Sequence, residues 1–211
     1  METSIFNNYR NWIDEQKMPK GKRAVLLAGL DLFAQQGYNG TSTAQIATQA
    51  AVSQATIFKY FKTKQDLLLA IIQPILENLF PRYRDDFLPA LDQFKTLPEV
   101  VHFVVHNRYQ FFKENGDAFM IVLTELLTNS TVRRLFFKVI QESQPMIIKH
   151  FAAALNNAGV REELDLLTIA RMMIGQILTY FIQQRLVPQI AADEQRDLEM
   201  IEAQIIRAIQ K

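Results

Sequence analysis

The sequence predicts an all-α protein of about nine to ten helices. Apolar residues recur at i, i+3, i+4, i+7 and i+8, the spacing of one helix face, as in Val25, Ala28, Gly29, Leu32 and Phe33. The 211 residues include only seven glycines and seven prolines, and no alternating run bounded by turn residues favours a strand. These observations together indicate helices packed on helices around apolar cores.

The composition limits the class of protein. Hydrophobic residues make up 49% of the chain, which allows one or two compact domains and argues against disorder. No uninterrupted apolar run approaches the length of a membrane span, and acidic and amide residues interrupt any signal-peptide core. Cysteine is absent, which excludes disulfides and thiolate chemistry. We therefore expect a cytoplasmic protein without membrane insertion.

Charge is distributed unevenly along the chain. The net charge is only +1, yet residues 20–66 hold six lysines and arginines against two aspartates, a net charge of +4. The rest of the chain then carries −3. A basic segment attached to a slightly acidic body favours nucleic-acid binding by that segment.

Residues 41–64 predict two short helices joined by a tight turn. Ser42 and Gln45 form a capping box, which starts the first helix, and Ser53 caps the second one. Two short helices separated by three or four residues are typical of a helix-turn-helix. An ordinary helical hairpin with a solvated polar face remains the alternative.

The second predicted helix has a buried side and a reading side. Ile57 and Phe61, four residues apart, are expected to bury it. Gln side chains pair with adenine, Thr and Ala contact the thymine methyl, and Lys and Tyr hold phosphates. The predicted DNA contacts are Ser42, Thr43, Ser53, Gln54, Ala55, Thr56, Lys59, Tyr60 and Lys64.

Residues 22–70 contain a series of short motifs at fixed spacings: Leu32-Phe33-Ala34, Gly37-Tyr38, Thr41-Ser42, Ile46-Ala47, Ala50, Val52-Ser53, Thr56-Ile57-Phe58, Tyr60-Phe61, Lys64 and Leu67-Leu68. This pattern resembles the TetR family of bacterial helix-turn-helix regulators. The resemblance implies a homodimer that binds a palindromic operator in double-stranded DNA, most often as a repressor. The remaining helices would then hold a small-molecule effector that releases the DNA. That part of the chain agrees with the family only in length and helical character.

Three residues depart from the family pattern. Ala51 stands where glycine is usual in the turn, and a left-handed backbone there would cost about 1 kcal/mol. Ala55 stands where glycine is frequent and alters the DNA-facing surface. Phe58 replaces a tyrosine whose hydroxyl often touches phosphate, so we interpret Phe58 as a packing residue and assign part of that contact to Lys59.

The resemblance and the pattern of breaks predict three segments. Residues 1–18 form an extension with amphipathic helical spacing, residues 19–70 the DNA-binding domain, and residues 71–211 an effector-binding and dimerisation domain. Pro74 should kink or end the helix that contains it. Residues 166–187 are apolar on nearly every side, so that helix and the last one, residues 198–209, are expected to pair with a second copy. The alternative is that both lie in the core of a monomer.

The body of the chain is rich in aromatic residues and methionine. This composition suits a pocket for a small apolar or aromatic effector, and it suits a plain core equally well. Polar side chains inside apolar runs are the sharper candidates, because each needs a partner that a ligand can supply. The predicted effector-binding residues are Phe112, Glu125, Gln176 and Tyr180.

The sequence gives no positive sign of catalysis. It holds no Gly-rich phosphate loop, nucleophile elbow or HExxH motif, so no enzyme is predicted. His102 and His106 have a spacing that can clamp a metal, with a third ligand from a distant Glu, Asp or His150. Histidine pairs near a helix surface are more often unliganded, and we therefore predict no metal and no cofactor. Two alternatives stay open, a small-molecule-binding protein and an all-α enzyme, each with an amino-terminal hairpin that does not bind DNA.

Overall fold

A computed structural model describes residues 5–156, 158–190 and 193–211, with the side chains of residues 5–8, 79 and 156 outside this description. Over these ranges the chain forms eleven α-helices and no strand beyond one isolated bridge. The helices are α1 Ile5–Glu15, α2 Lys20–Gly40, α3 Thr43–Gln49, α4 Gln54–Tyr60, α5 Lys64–Pro74, α6 Phe80–Ala90, α7 Leu97–Glu114, α8 Gly116–Thr128, α9 Ser130–Asn156, α10 Leu166–Leu186 and α11 Glu194–Ile209. The predicted all-α fold is confirmed, with eleven helices against about nine to ten expected.

The chain divides into two compact units. The first unit comprises residues up to Arg82 together with Asn115–Gln141, and the second comprises Tyr83–Glu114 and Glu142–Lys211. The predicted domains 19–70 and 71–211 divide the chain by function, and that division stays a prediction.

Helix α2 is the centre of the first unit, where it packs against α3, α4, α5 and α8. Leu30 and Phe33 are fully buried on it. Gly29 lies on the same face, and a Cβ placed there would come within 3.0 Å of Cδ1 of Ile71 and 3.4 Å of the Leu67 side chain. The close approach of α2 and α5 therefore depends on a glycine at position 29.

Gly37 interrupts α2 near its end. Its φ of 72° lies in the left-handed region, where glycine is favoured over residues with a side chain. The buried hydroxyl of Thr41 shares its one proton between the carbonyls of Gly37 at 2.8 Å and Leu32 at 3.1 Å. Gly37 thus breaks the regular helix, and Thr41 satisfies carbonyls that the break leaves open.

Helix α1 docks on the first unit. Tyr9 and Ile13 are fully buried, and the Arg10 guanidinium pairs with Asp31 of α2. Arg23 of α2 donates to the carbonyl of Gln16 at 2.9 Å. The amphipathic helix predicted for the extension is confirmed over Ile5–Glu15, while the side chain of Ile5 lies outside the described residues. The extension is therefore held by both apolar and charged contacts.

Pro74 ends α5, as expected of a residue without a backbone N–H. The chain continues as a π-helical turn at Ile75–Leu79 and then as α6. The predicted disturbance at Pro74 is confirmed as a local change of helix type.

Helix α7 carries the core of the second unit. Val100, Val101, Val104 and Val105 are all fully buried, and α7 packs against α10 and α11. In the single chain Leu186, at the end of α10, is 71% exposed, so burial of α10 on every side would require a second copy. By length and composition alone α10 would suffice to cross a membrane, a test that core helices of soluble proteins also pass.

Candidate nucleic-acid interface

Local hydrogen bonds define the start of both short helices. Ser42 Oγ accepts from the backbone N–H of Gln45 at 3.2 Å, and Gln45 Oε1 accepts from the backbone N–H of Ser42 at 2.7 Å. Ser53 Oγ accepts from the backbone N–H of Thr56 at 3.2 Å at the start of α4. The predicted capping box and the predicted second cap are confirmed, and they set the lengths of α3 and α4.

The turn between α3 and α4 contains a left-handed residue. Ala51 has a φ of 52°, a conformation that favours glycine. The N–H of Val52 donates to the carbonyl of Ala47 at 3.0 Å and closes the turn. Ala47 is itself buried, so its small side chain fits where the two helices cross. The conditional prediction of backbone strain at Ala51 is confirmed.

Helix α4 turns one side to the core and the other to solvent. Ile57 is only 1% exposed, and Phe61 at the end of α4 is buried as well, as predicted. Gln54, Ala55 and Lys59 are exposed, which leaves them accessible to DNA. The interpretation of Phe58 as a packing residue was wrong: its side chain is 49% exposed, because it points away from the Ile57 side of the helix.

Thr56 and Tyr60 are half-buried at the edge of this surface. A Cβ built on Gly21 would lie 3.6 Å from both the Thr56 methyl group and the Tyr60 hydroxyl. The first turn of α2 therefore borders the reading side of α4. This contact places the exposed Lys20 near Thr56 and Tyr60, two of the predicted DNA-contacting residues.

Gln54 is ordered by a contact with α3. Its Nε2 donates to Oγ1 of Thr43 at 3.2 Å, across the turn. Both residues were predicted DNA contacts, and the structure brings them together. The Gln54 carboxamide has further donor and acceptor positions that a base edge can use.

Lys64 has a structural role that the sequence did not indicate. Its ammonium group donates to the carbonyls of Tyr38 at 2.8 Å and Thr41 at 3.0 Å. Two of its three N–H groups thus fasten the start of α5 to the segment after α2. A phosphate contact by Lys64 stays a prediction and has one N–H left to serve it.

Five basic residues between positions 20 and 64 fall into two groups. Lys20, Lys59 and Lys62 are exposed, and Lys20 and Lys62 were counted in the charge of the segment without being predicted as contacts. Arg23 and Lys64 instead hydrogen-bond to backbone carbonyls. Exposure separates these groups, and it could not be inferred from the residue types or their spacing.

Two predicted effector residues line one groove in the second unit. Gln176 and Tyr180 border a groove of about 510 Å³ formed by α10, α11 and the turn between them. The Tyr180 hydroxyl donates to Asp197 Oδ2 at 3.1 Å and accepts from Gln184 at 2.7 Å. Burial, and then the hydrogen bond to Asp197, raise the pKa of Tyr180. Its hydroxyl therefore has protein partners already.

The other two predicted effector residues lie elsewhere. Phe112 is buried against Phe181, with ring centroids 5.5 Å apart. Glu125 belongs to the first unit, is 4% exposed and accepts from Asn129 Nδ2 at 3.2 Å. It lines a separate cavity of about 300 Å³ with Tyr38, whose pKa is raised by burial and then by the charge of Glu125. The four residues do not line a single cavity.

The capped helix pair, its tight turn and its exposed polar and basic side chains define a helix-turn-helix DNA-binding protein. Residues 25–71 match the sequence model of the family described as bacterial regulatory proteins, tetR family. The match covers this segment, so the helix-turn-helix of the chain is similar to that of tetR-type regulators. Members of the family are regulators and not enzymes, so neither alternative left open by the sequence is favoured.

Individual relatives show how far the similarity extends. The fatty acid metabolism regulator protein of Bacillus subtilis is 23% identical over 166 residues, 77% of this chain and 82% of its own. The regulator RutR of Escherichia coli is 42% identical over 71 residues, 32% of this chain and 34% of RutR.

Similarity to a solved structure covers both units. The crystal structure of FadR from Bacillus subtilis, in complex with stearoyl-CoA, matches with a TM-score of 0.57 at 19% identity. The match covers 87% of this chain and 95% of that one. At this identity the match bears on the fold, and it includes the second unit, where the sequence pattern itself carried no resemblance.

Proposed function

We propose that the chain is a cytoplasmic repressor that binds a palindromic operator as a homodimer and leaves it when a small apolar or aromatic effector binds. The proposal rests on the exposure of Gln54, Ala55 and Lys59 on α4, opposite the buried Ile57. A helix that is anchored on one side and polar on the other can enter a major groove without disturbing its own core.

The roles on this surface follow from side-chain chemistry. Gln54 can form paired hydrogen bonds with adenine, and Ala55 and Thr56 offer methyl groups to thymine. Lys59, Tyr60 and Lys20 are positioned around them to hold phosphates. Ser42, Thr43 and Ser53 supply hydroxyls at the starts of α3 and α4, whose amino ends favour phosphate oxygens.

Selection of bound sites from random double-stranded DNA tests the proposal. We expect an inverted repeat whose half-sites lie about one or more helical turns apart, as a two-fold dimer requires. Recovery of an asymmetric single site would contradict the dimeric arrangement. Failure to enrich any sequence would contradict operator recognition.

Variants assign the contacts on the selected operator. Gln54→Ala and Thr56→Val should relax the preference for particular bases. Lys59→Ala should instead weaken binding to every DNA sequence, and it should reduce the slope of log affinity against log salt concentration by about 1. Lys149→Ala, an exposed lysine on α9, is the control and should change neither. Equal losses on operator and random DNA for Gln54→Ala and Thr56→Val, as expected for Lys59→Ala, would reject the reading surface.

Exposed apolar side chains support a dimer through α10 and α11. Ile190 and Met200 line the groove formed by these helices and are 69% and 50% exposed, and Leu186 at the end of α10 is 71% exposed. Exposed apolar groups on neighbouring helices favour an isologous contact with a second copy. Such a contact would also cover the groove that Gln176 and Tyr180 line.

Size-exclusion chromatography with light scattering measures the oligomeric state and so tests this proposed interface. Met200→Asp and Ile190→Asp should shift the chain from dimer to monomer, because each places a charge in the proposed contact. Leu127→Asp on α8 is the matched control, since Leu127 is 75% exposed and lies in the first unit. A monomeric wild type, or dissociation by the control alone, would reject α10 and α11 as the interface.

Ring contacts in the second unit support an apolar effector. Phe103 stacks on Phe87 with centroids 5.6 Å apart and lies 4.8 Å from Phe94. The FadR structure was solved with stearoyl-CoA, whose long acyl chain is apolar. We therefore expect the effector to be recognised mainly through an apolar group.

Fluorescence anisotropy of labelled operator measures release. Stearoyl-CoA, stearate and a small aromatic acid are the apolar probes, and coenzyme A without an acyl chain is the control. A saturable fall in bound DNA with an apolar probe, and none with coenzyme A, is the expected result. Release by coenzyme A alone would contradict the proposed apolar class, and so would the absence of release by all three apolar probes.

A further inference from the structure

Three potential metal ligands meet between α7 and α11 in the second unit. His102 Nδ1 lies 3.1 Å from Glu202 Oε1, and His106 Nε2 lies 2.7 Å from the same oxygen. One ligand atom from each residue lies within 4.8 Å of the other two. Two histidines from one helix and a carboxylate about a hundred residues later thus converge on one point.

These distances suit a single transition-metal ion. Zinc binds imidazole nitrogen and carboxylate oxygen at about 2.0–2.2 Å, so two ligand atoms of a tetrahedral site lie about 3.3 Å apart. The His102–Glu202 distance of 3.1 Å is close to this value, and the His106–Glu202 distance of 2.7 Å is shorter. A bound ion would replace these hydrogen bonds and would require the ligand atoms to separate slightly.

Exposure of the three side chains leaves room for further ligands. His102 is 64% exposed, His106 is 41% exposed and Glu202 is 16% exposed. An ion held from the protein side can therefore keep one or more water molecules on its solvent side. Two nitrogen donors and one oxygen donor select zinc, cobalt or nickel over magnesium and calcium, which prefer oxygen ligands.

We propose that His102, His106 and Glu202 form a binding site for one divalent transition-metal ion per chain, with zinc as its reference ion. In place of two hydrogen bonds to a shared carboxylate, the ion would join α7 and α11 directly. This inference goes beyond the proposed function, because it depends on neither DNA binding nor an apolar effector. It would make the position of α11 sensitive to metal supply.

Zinc titration of the full-length, tag-free, chelator-treated protein tests the site. We expect one equivalent per chain by competition with a chromophoric chelator, and a rise in the melting temperature that saturates with zinc. Cobalt should give the visible absorption of a four- or five-coordinate ion with nitrogen and oxygen ligands. The chain has no cysteine, so thiolate binding cannot produce these signals.

Matched variants identify the ligands. His106→Asn and Glu202→Gln keep polar groups of similar size, and each should weaken zinc binding at least tenfold. Glu199→Gln, an exposed neighbour on α11, should bind as the wild type does. Each variant is first compared with wild type by circular dichroism in chelator, so that a folding defect is recognised.

The outcomes separate a site from adventitious binding. Stoichiometric binding that is lost in both ligand variants and kept in Glu199→Gln supports the proposal. Zinc binding that is unchanged by His106→Asn and Glu202→Gln would overturn it, and so would magnesium competing at equal concentration. If either ligand variant fails to fold, His102→Asn, at the most exposed of the three positions, gives the same comparison.

Discussion

The Lys64 ammonium lies 4.1 Å from the centre of the Tyr38 ring and donates to the carbonyl of the same residue at 2.8 Å. One side chain thus makes a cation–π contact and a charge-assisted hydrogen bond to one partner, and it reaches Thr41 as well. The contact joins the end of α2 to the start of α5 across 26 residues of sequence. It therefore ties the segment before α3 to the segment after α4, on either side of the helix-turn-helix in the sequence.

Lys64→Met should therefore destabilise the fold. The substitution keeps a long unbranched side chain but removes both hydrogen bonds. We therefore expect a loss of about 2 kcal/mol in the free energy of unfolding. Urea denaturation followed by circular dichroism measures this loss. Lys62→Met, two residues away and exposed, is the control and should change stability by less than about 0.5 kcal/mol. Equal effects would show that charge alone, and not the Tyr38 contact, matters.

The left-handed Ala51 provides a stabilising substitution. Ala51→Gly should raise the free energy of unfolding by up to about 1 kcal/mol, because glycine adopts a φ of 52° without steric cost. Ala50, the residue before it, has a φ of −78°, so Ala50→Gly should lower stability by about 0.5–1 kcal/mol. The two substitutions are chemically identical and differ in backbone conformation. Effects of the same sign in denaturation curves would contradict the strain argument.

Truncation of two adjacent residues on α4 should affect stability to very different extents. Phe58→Ala should leave the free energy of unfolding within about 1 kcal/mol of wild type, because the ring is half exposed. Ile57→Ala should cost about 2–5 kcal/mol, because the side chain is buried. Thermal unfolding of the two variants makes the comparison. A larger loss for Phe58→Ala would place its ring in the core.

Two glycines of α2 should differ in their tolerance of a methyl group. Gly29→Ala brings its Cβ to 3.0 Å from Ile71, so we expect about 1–2 kcal/mol of destabilisation. Gly21→Ala meets its nearest atoms at 3.6 Å and should be neutral or stabilising by about 0.5 kcal/mol. Denaturation of both variants in parallel distinguishes packing from helix propensity. A stable Gly29→Ala variant would show that Ile71 can move aside.

Local signals explain what the sequence could predict about the interface. The caps at Ser42 and Ser53 involve residues three positions apart, so their pattern is visible in the chain itself. The strain at Ala51 was also predictable once the family pattern supplied the expected glycine. These contacts need no knowledge of how distant helices pack.

Contacts between distant segments explain most of what was missed. The partners of Lys64 precede it by more than twenty residues, and Glu202 follows His102 by one hundred. Hydrophobic spacing also failed to separate the four predicted effector residues into their two units. Glu125 and Gln176 look alike in sequence, as polar residues in apolar runs, yet they line different cavities.

The hydrogen bond between Gln54 and Thr43 has a consequence for the kinetics of recognition. A long amide side chain loses rotameric freedom when it is fixed against a base, and this entropy loss normally opposes association. In this protein the loss accompanies folding instead, because Thr43 already orients the carboxamide. If Gln54 reads a base as proposed, association with the operator should be slower without that anchor, even though Gln54 itself is unchanged.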